Sequence, residues 1–448
     1  MKRLILHIAT LTLAVTPAAV FAAQPDDSET TVVTEDDSRD IRENAVVIPD
    51  GDADDIDIPV PSFIRQRSNK ITLNGSDPSK LRQAVMMSNV KPVSMLLIGD
   101  SHVQAGINSG VTRELLQYDF GNAGRGIIAP LRLSGTNEPS DYYFQSRNQW
   151  NAVRLMNASW EQSVGFTGTS IHPLTSESQL FIATSEKEDY NPFTSVTIFH
   201  RGQMTIKSVT TSEGKTVHFR AVPSHDYTQI ILAEPVTGID VDFSSAGDLT
   251  VYGASLDSGR PGVKFHSIGN NGATYDTYNR IGNVGQGIVP LEPSLVIIAL
   301  GTHEAFGKFD SAEFTRSVDR LVKNIRATNP DAFIVLTTPM ECQRSITTSK
   351  KVRVKGKTKK GRPRYRTTSV KSYKVNSNIA SVRNAIIDYG RRNNVAVYDW
   401  YDVAGGAGAS SSWLSANLFA KDRVHHTAAG YRLEGRMLYD AILSTLRD

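Results

Sequence analysis

Two apolar patterns divide the chain. Short continuous apolar runs recur at Val93-Ser94-Met95-Leu96-Leu97-Ile98, Leu295 to Leu300, Ala332 to Thr337 and Val395 to Tyr398. Runs of this kind fill parallel strands covered on both faces. Between them the apolar spacing is helical. Phe314, Val318, Leu321, Val322 and Ile325 share one side of a helix predicted from Ser311 to Ala327, and Val111, Leu115 and Tyr118 one side of a helix predicted from Val103 to Tyr118. A third helix, roughly Ile379 to Gly390, precedes the fourth run, and a last one starts near Thr427 with Leu433, Met437, Leu438 and Ile442 inward. Strands alternating with helices predict an α/β unit with a parallel sheet covered on both sides.

The second pattern fills roughly residues 130–255. Ser195 to His200, Val217 to Val222, Gln229 to Ala233 and Asp240 to Phe243 are short, alternating or β-branched, and separated by Gly, Ser, Asp and Pro. We expect an all-β sandwich or jelly roll here. Because the α/β texture resumes at Gly262, this module is inserted between residues 62–129 and 256–448 of the α/β unit, a change that a surface loop tolerates.

The ends and the charges refine this picture. Lys2 and Arg3 precede an apolar run from Leu4 to Val15, and Val20-Phe21-Ala22 has small residues where a signal peptidase cuts. Residues 1–22 therefore read as a secretory signal, the apolar run being shorter than the roughly 20 residues of a membrane span. The mature protein is expected to be soluble in the periplasm or cell envelope. Its one cysteine, Cys342, excludes a disulfide framework. Residues 26–57 hold 13 acidic and 2 basic residues, the composition of a disordered tether, assigned to residues 23–61. Residues 344–374 hold 13 basic residues and no acidic one, while the formal net charge of the whole chain is only +3. The basic character belongs to one loop or protruding hairpin, fitted to an anionic surface or to the acidic tether, or merely solvated. Export makes nucleic acid an improbable partner.

Candidate chemistry gathers at glycine turns. In Gly99-Asp100-Ser101-His102 a strand hands Ser101 to the carboxyl edge of the sheet, where the following helix aims unpaired N–H groups and its positive dipole end. The tetrapeptide alone serves equally well as a helix cap. In Asp422-Arg423-Val424-His425, before the last helix, Asp422 can accept the Nδ1–H of His425 and leave Nε2 free to take a proton from Ser101. His426 reads as a neighbour packed on the first turn. Gly269-Asn270-Asn271-Gly272 and Gly301-Thr302-His303-Glu304 follow other predicted strands. The backbone N–H groups of Ser101 and Gly272 with one side-chain donor would form an oxyanion hole. The sequence offers no metal-ligand cluster and no cofactor motif.

In this order the blocks resemble the SGNH (GDSL-like) hydrolases. More narrowly the chain is similar to the bacterial peptidoglycan O-acetylesterases, through Gly99-Asp100-Ser101-His102-Val103-Gln104-Ala105-Gly106, Asn270-Asn271-Gly272-Ala273 and Asp422-Arg423-Val424-His425-His426-Thr427-Ala428-Ala429-Gly430-Tyr431. The resemblance spans roughly Ser62 to Asp448. It implies a three-layer α/β/α flavodoxin-like parallel sheet with an inserted, carbohydrate-binding-module-like jelly roll, and a monomer acting without metal or cofactor. It further implies Ser101 as nucleophile, His425 as base and Asp422 as its orienting acid. The superfamily's third-block Asn is replaced here by His303, which becomes the expected third oxyanion donor. The implied reaction is removal of O-acetyl groups from C6 of muramic acid in peptidoglycan. The same triad also suits an O-acetyltransferase, and a weakened hole at His303 would leave a wall-glycan-binding protein.

Overall fold

The computed structural model describes residues 31–32, 58–185, 191–357 and 363–447. The signal segment, nearly all of the acidic tether and the tip of the basic loop lie outside these residues. The chain divides into two compact units, Thr34–Ile346 with Tyr373–Asp448, and Thr347–Ser372 with Met1–Val33.

The larger unit is organised by a six-stranded sheet, ordered Gly262–Gly269, Pro92–Gly99, Pro293–Ala299, Phe333–Thr337, Ala396–Tyr398 and Ile71–Thr72. The first five strands run parallel and the last antiparallel. Met95, Leu96, Leu97 and Ile98 are all buried, as an apolar run covered on both faces must be. Helices Ser311–Thr328, Asn378–Asn393 and Ala428–Arg447 lie where their apolar spacing placed them.

One helix departs from expectation. The segment predicted as Val103 to Tyr118 is two helices, Ser101–Gln104 and Ile107–Phe120, parted by Gly106 at φ 79°. That left-handed conformation favours glycine and redirects the chain. Tyr118 is 80% exposed instead of inward. The buried face runs through Val111, Leu115 and Leu116, and Gln117 is tied inward through its Nε2 to the carbonyls of Gly124 and Val263.

The inserted region forms two antiparallel sheets, its strands starting at Gly126 and ending at Asp257. One sheet has the order Met204–Thr211, Gly238–Ser245, Glu177–Thr184, Tyr142–Gln145. The other runs Phe219–Pro223, Tyr227–Val236, Phe193–Arg201, Thr250–Asp257, Thr169–Pro173, Trp150–Arg154, with Gly126–Ile128 also paired to Thr250–Asp257. Both sheets give side chains to one core, among them Leu180, Val241 and Phe243 from the first and Val196, Ile198 and Val251 from the second. This core is separate from the one around the parallel sheet. Most described strands are therefore antiparallel, although the candidate chemistry sits on the parallel sheet.

In the smaller unit, strands Gln343–Lys357 and Pro363–Val375 lie side by side through their outer parts, and Thr31–Val32 pairs antiparallel with the first, Thr31 opposite Thr348. The basic loop is thus a two-stranded ribbon, and Lys350, Lys351, Arg353, Lys355, Arg364 and Arg366 are exposed.

Candidate active site

The parallel strands bring their carboxyl ends level, with Gly99 in register with Gly269 on one side and Ala299 on the other. The chain turns sharply at Gly99, where a Cβ would lie 2.8 Å from the Ala299 carbonyl oxygen and 2.3 Å from Val103 Cγ2. Asp100 then accepts the His102 N–H at 3.0 Å and caps the short helix. The capping residue and the candidate nucleophile are adjacent, so the cap leaves the Ser101 side chain available. Ser101 opens the helix, where its amide has no intrahelical acceptor.

The Asp422–His425 turn comes to Ser101 from 324 residues away. Ser101 Oγ lies 2.8 Å from His425 Nε2, and His425 Nδ1 lies 2.6 Å from Asp422 Oδ2. The other carboxylate oxygen of Asp422 accepts the backbone N–H groups of Val424 at 2.9 Å and His425 at 3.0 Å. Burial pushes the Asp422 carboxyl up, but the His425 hydrogen bond and charge and these two amides outweigh it and hold the acid below its ordinary value. An ionised Asp422 therefore fixes the Nδ1–H tautomer and leaves Nε2 to accept the serine proton.

Arg423, inside this turn, has φ 62°, a left-handed conformation uncommon for any residue other than glycine. Surrounding contacts hold it. Its guanidinium lies 3.9 Å from the Tyr373 ring centre and donates to Gln343 Oε1 at 2.9 Å, while its carbonyl accepts the Gln343 N–H at 3.0 Å. Gln343 and Tyr373 stand at the root of the basic ribbon, a support for the triad that the sequence did not reveal.

The two further glycine turns also reach the sheet edge. Gly272, at φ 80°, follows Asn271, whose N–H donates to Gln104 Oε1 at 2.6 Å. Gln104 Nε2 in turn donates to the carbonyl and side-chain oxygens of Asn137 at 2.8 and 2.9 Å, and Asn270 Nδ2 donates to the Thr167 carbonyl at 3.1 Å. Loops of the inserted region thus border the site, and Gln104 joins the first and second blocks. His303 precedes the short 3-10 turn Glu304–Phe306 and lies near enough to His102 to disfavour its protonation. Glu304 accepts the Tyr275 N–H at 2.9 Å, and burial pushes its carboxyl up to about 7. Burial likewise raises Asp100 to about 7 and holds His102 well below its ordinary value. The site is a desolvated pocket in which charge is costly.

His426 packs among aromatic rings. Its ring lies 4.7 Å from Trp413, 5.3 Å from Phe419 and 5.0 Å from Tyr431, centre to centre, as the packed neighbour expected. The fold nonetheless assembles what the linear sequence did not display, a group of His102, His426 and Glu434 whose ligand atoms lie within 4.8 Å of one another. These residues are 332 positions apart at the extremes, too far for any spacing motif.

Residues 244–433 match the model of the GDSL-like lipase/acylhydrolase family. A solved structure described as a peptidoglycan O-acetylesterase in action is 19% identical, with a TM-score of 0.64, covering 84% of this chain and 99% of that one. A lipase/acylhydrolase from Enterococcus faecalis is 17% identical with a TM-score of 0.28, covering 41% of this chain and 77% of that one. No curated protein sequence matches the chain. Residues 244–433 are thus similar to the GDSL-like acylhydrolases, and the α/β unit resembles the SGNH-type hydrolases. In fold the chain resembles a peptidoglycan O-acetylesterase.

Proposed function

We propose that this protein is an exported serine esterase that removes acetyl groups from the C6 hydroxyl of muramic acid residues in peptidoglycan. The observation that carries the reading is the Ser101–His425–Asp422 chain, at 2.8 and 2.6 Å, at the carboxyl edge of the parallel sheet. His425 Nε2 takes the Ser101 proton as Oγ attacks the acetyl carbonyl. The backbone N–H groups of Ser101 and Gly272 and the His303 imidazole receive the oxyanion. His425 returns the proton to the departing sugar oxygen, leaving acetyl-Ser101. Water, deprotonated by His425, then releases acetate and restores the serine.

The likeness to a peptidoglycan O-acetylesterase over nearly all of that chain supports a wall-glycan substrate. The inserted β region acts as the carbohydrate-holding module, with Asn137 and Thr167 bonded to residues of the site's own turns. The exposed basic ribbon makes a further contact with an anionic envelope surface, and removing residues 350–366 weakens envelope binding at low salt more than at high salt. Among the described residues no helix is long and apolar enough to cross a membrane.

The test compares wild type, Ser101→Ala and His303→Asn on O-acetylated peptidoglycan, measuring free acetate and acetyl groups moved to an added glycan acceptor. We expect acetate from wild type and none above background from Ser101→Ala. Transfer to the glycan in place of acetate would establish the acetyltransferase instead. Neither product from wild type would overturn the reading, and faster release by His303→Asn would mark the histidine as the poorer oxyanion donor.

A further inference from the structure

Among the described residues, a partly open pocket of about 40 Å³ is lined by Asp100, His102, Thr302, Trp400, His426 and Glu434 among others. His426 is 1% exposed, and neither of its ring nitrogens makes a hydrogen bond. Glu434 Oε2, also buried, makes none either, and its ion-pair partner is His426 Nδ1 itself, at 3.4 Å. Buried polar atoms without hydrogen bonds cost about 1–3 kcal/mol each, and native proteins satisfy nearly all of them with protein, water or an ion. Two imidazoles and a carboxylate converging on one small cavity call for a ligand that accepts electron pairs.

We propose that His102, His426 and Glu434 bind a divalent transition-metal cation of the zinc and cobalt type. Two imidazole nitrogens and one carboxylate oxygen are a donor set such cations favour. Bonds of about 2.1 Å in tetrahedral geometry place donors about 3.4 Å apart. His426 Nδ1 and Glu434 Oε2 already stand 3.4 Å apart. His102, within 4.8 Å of both, closes the set by an inward shift of up to about 1.4 Å. Its Nδ1 lies 3.3 Å from the Tyr431 hydroxyl, an outer partner of the kind that orients a ligating histidine and leaves its other nitrogen for the metal. The fourth position stays open to water.

The three ligands also explain what the ion does. His102 follows the nucleophile and His426 follows the base, while Glu434 belongs to the last helix, Ala428–Arg447. A cation held by all three clamps the Ser101 turn to the His425 turn. The site requires no esterase activity, so its test is independent of the proposed reaction.

The full chain, freed of metal by chelation, is titrated with Co²⁺ while visible absorption, equilibrium dialysis and melting temperature are followed. We expect one Co²⁺ per chain, a visible band of a low-coordinate cobalt site, displacement by Zn²⁺ and a melting temperature that rises by a few degrees with free metal. His426→Leu, which keeps an apolar filler among the aromatic rings, and Glu434→Gln, nearly isosteric, each remove the band and the metal-dependent rise. Tyr431→Phe weakens binding about tenfold. Absence of saturable binding by wild type would overturn the site. So would unchanged binding in both ligand variants, which would put the ion elsewhere.

Discussion

Two buried polar clusters lie in the larger unit and treat charge in opposite ways. At the base of the inserted region, Asp141 receives Arg125 Nε and Nη2 at 3.0 Å each and Arg113 Nη2 at 3.0 Å. Arg125 also donates to the Ile127 carbonyl, and both guanidiniums are about 1% exposed. Burial pushes Asp141 up, but the charges of Arg125 and Arg113 outweigh it and hold the carboxyl below its ordinary value. At the active site, Asp100 and Glu304 are equally enclosed without a cation in contact, and burial carries both to about 7. The same desolvation thus yields a locked charge where a guanidinium is in contact and a group poised near neutrality where none is. The first cluster joins elements of the structure; the second can move protons.

This contrast makes the two clusters separable by mutation. The largest effect expected is at Ser101→Ala, which lowers ester turnover about 10⁶-fold while leaving the melting temperature nearly unchanged. Asp422→Asn, which preserves shape but releases the tautomer, lowers turnover about 10⁴-fold with the pH-rate profile as its check. Asp141→Asn does the reverse. Two guanidiniums lose their buried counter-charge, so denaturant titration should show a loss of about 3–5 kcal/mol, with turnover per folded molecule kept. If Asp141→Asn were to abolish turnover in a protein of wild-type stability, the division between the clusters would fail.

Glu138 sharpens the comparison through pH. Burial is the largest influence on it and pushes its carboxyl up to about 8, against 4.5 in the unfolded chain. Below pH 4.5 both states hold the proton and its contribution to stability is fully present. Between about 4.5 and 8 the folded state keeps a proton that the unfolded state releases, so stability falls with rising pH by up to about 1.4 kcal/mol per unit. Glu138→Gln should flatten that slope in denaturant titrations at pH 5, 6.5 and 8, and an unchanged slope would show that Glu138 is ionised in the fold. The smallest effect is expected at Gln104→Ala, which frees Asn271 and Asn137 and lowers kcat/KM about tenfold without changing the pH profile.

The parallel sheet, its helices and the β-rich insert were legible because each rests on local periodicity that burial then enforces. Ser101, Asp422 and His425 were legible for a related reason, since each is carried by a turn of a few residues whose backbone geometry follows from its own sequence. The exceptions have identifiable causes. The helix after Ser101 broke at Gly106 because a left-handed residue interrupts it, and Tyr118 turned outward because Gln117 is held inward by carbonyls of Gly124 and Val263. Gln104 stood within a recognised block, yet its reach to Asn137 and Asn271 depends on loops from two other parts of the chain.

From the sequence alone came the kinds of element, their order, and the short turns that carry the candidate nucleophile, base and acid, because propensity, apolar spacing and capping act over a few residues. The tertiary structure decided what lies across those turns. It set Ser101 2.8 Å from His425, placed Arg423 against Tyr373 and Gln343, and brought His102, His426 and Glu434 to one pocket. Such contacts join residues tens to hundreds of positions apart, and only packing of the whole chain fixes their distances and removes their water.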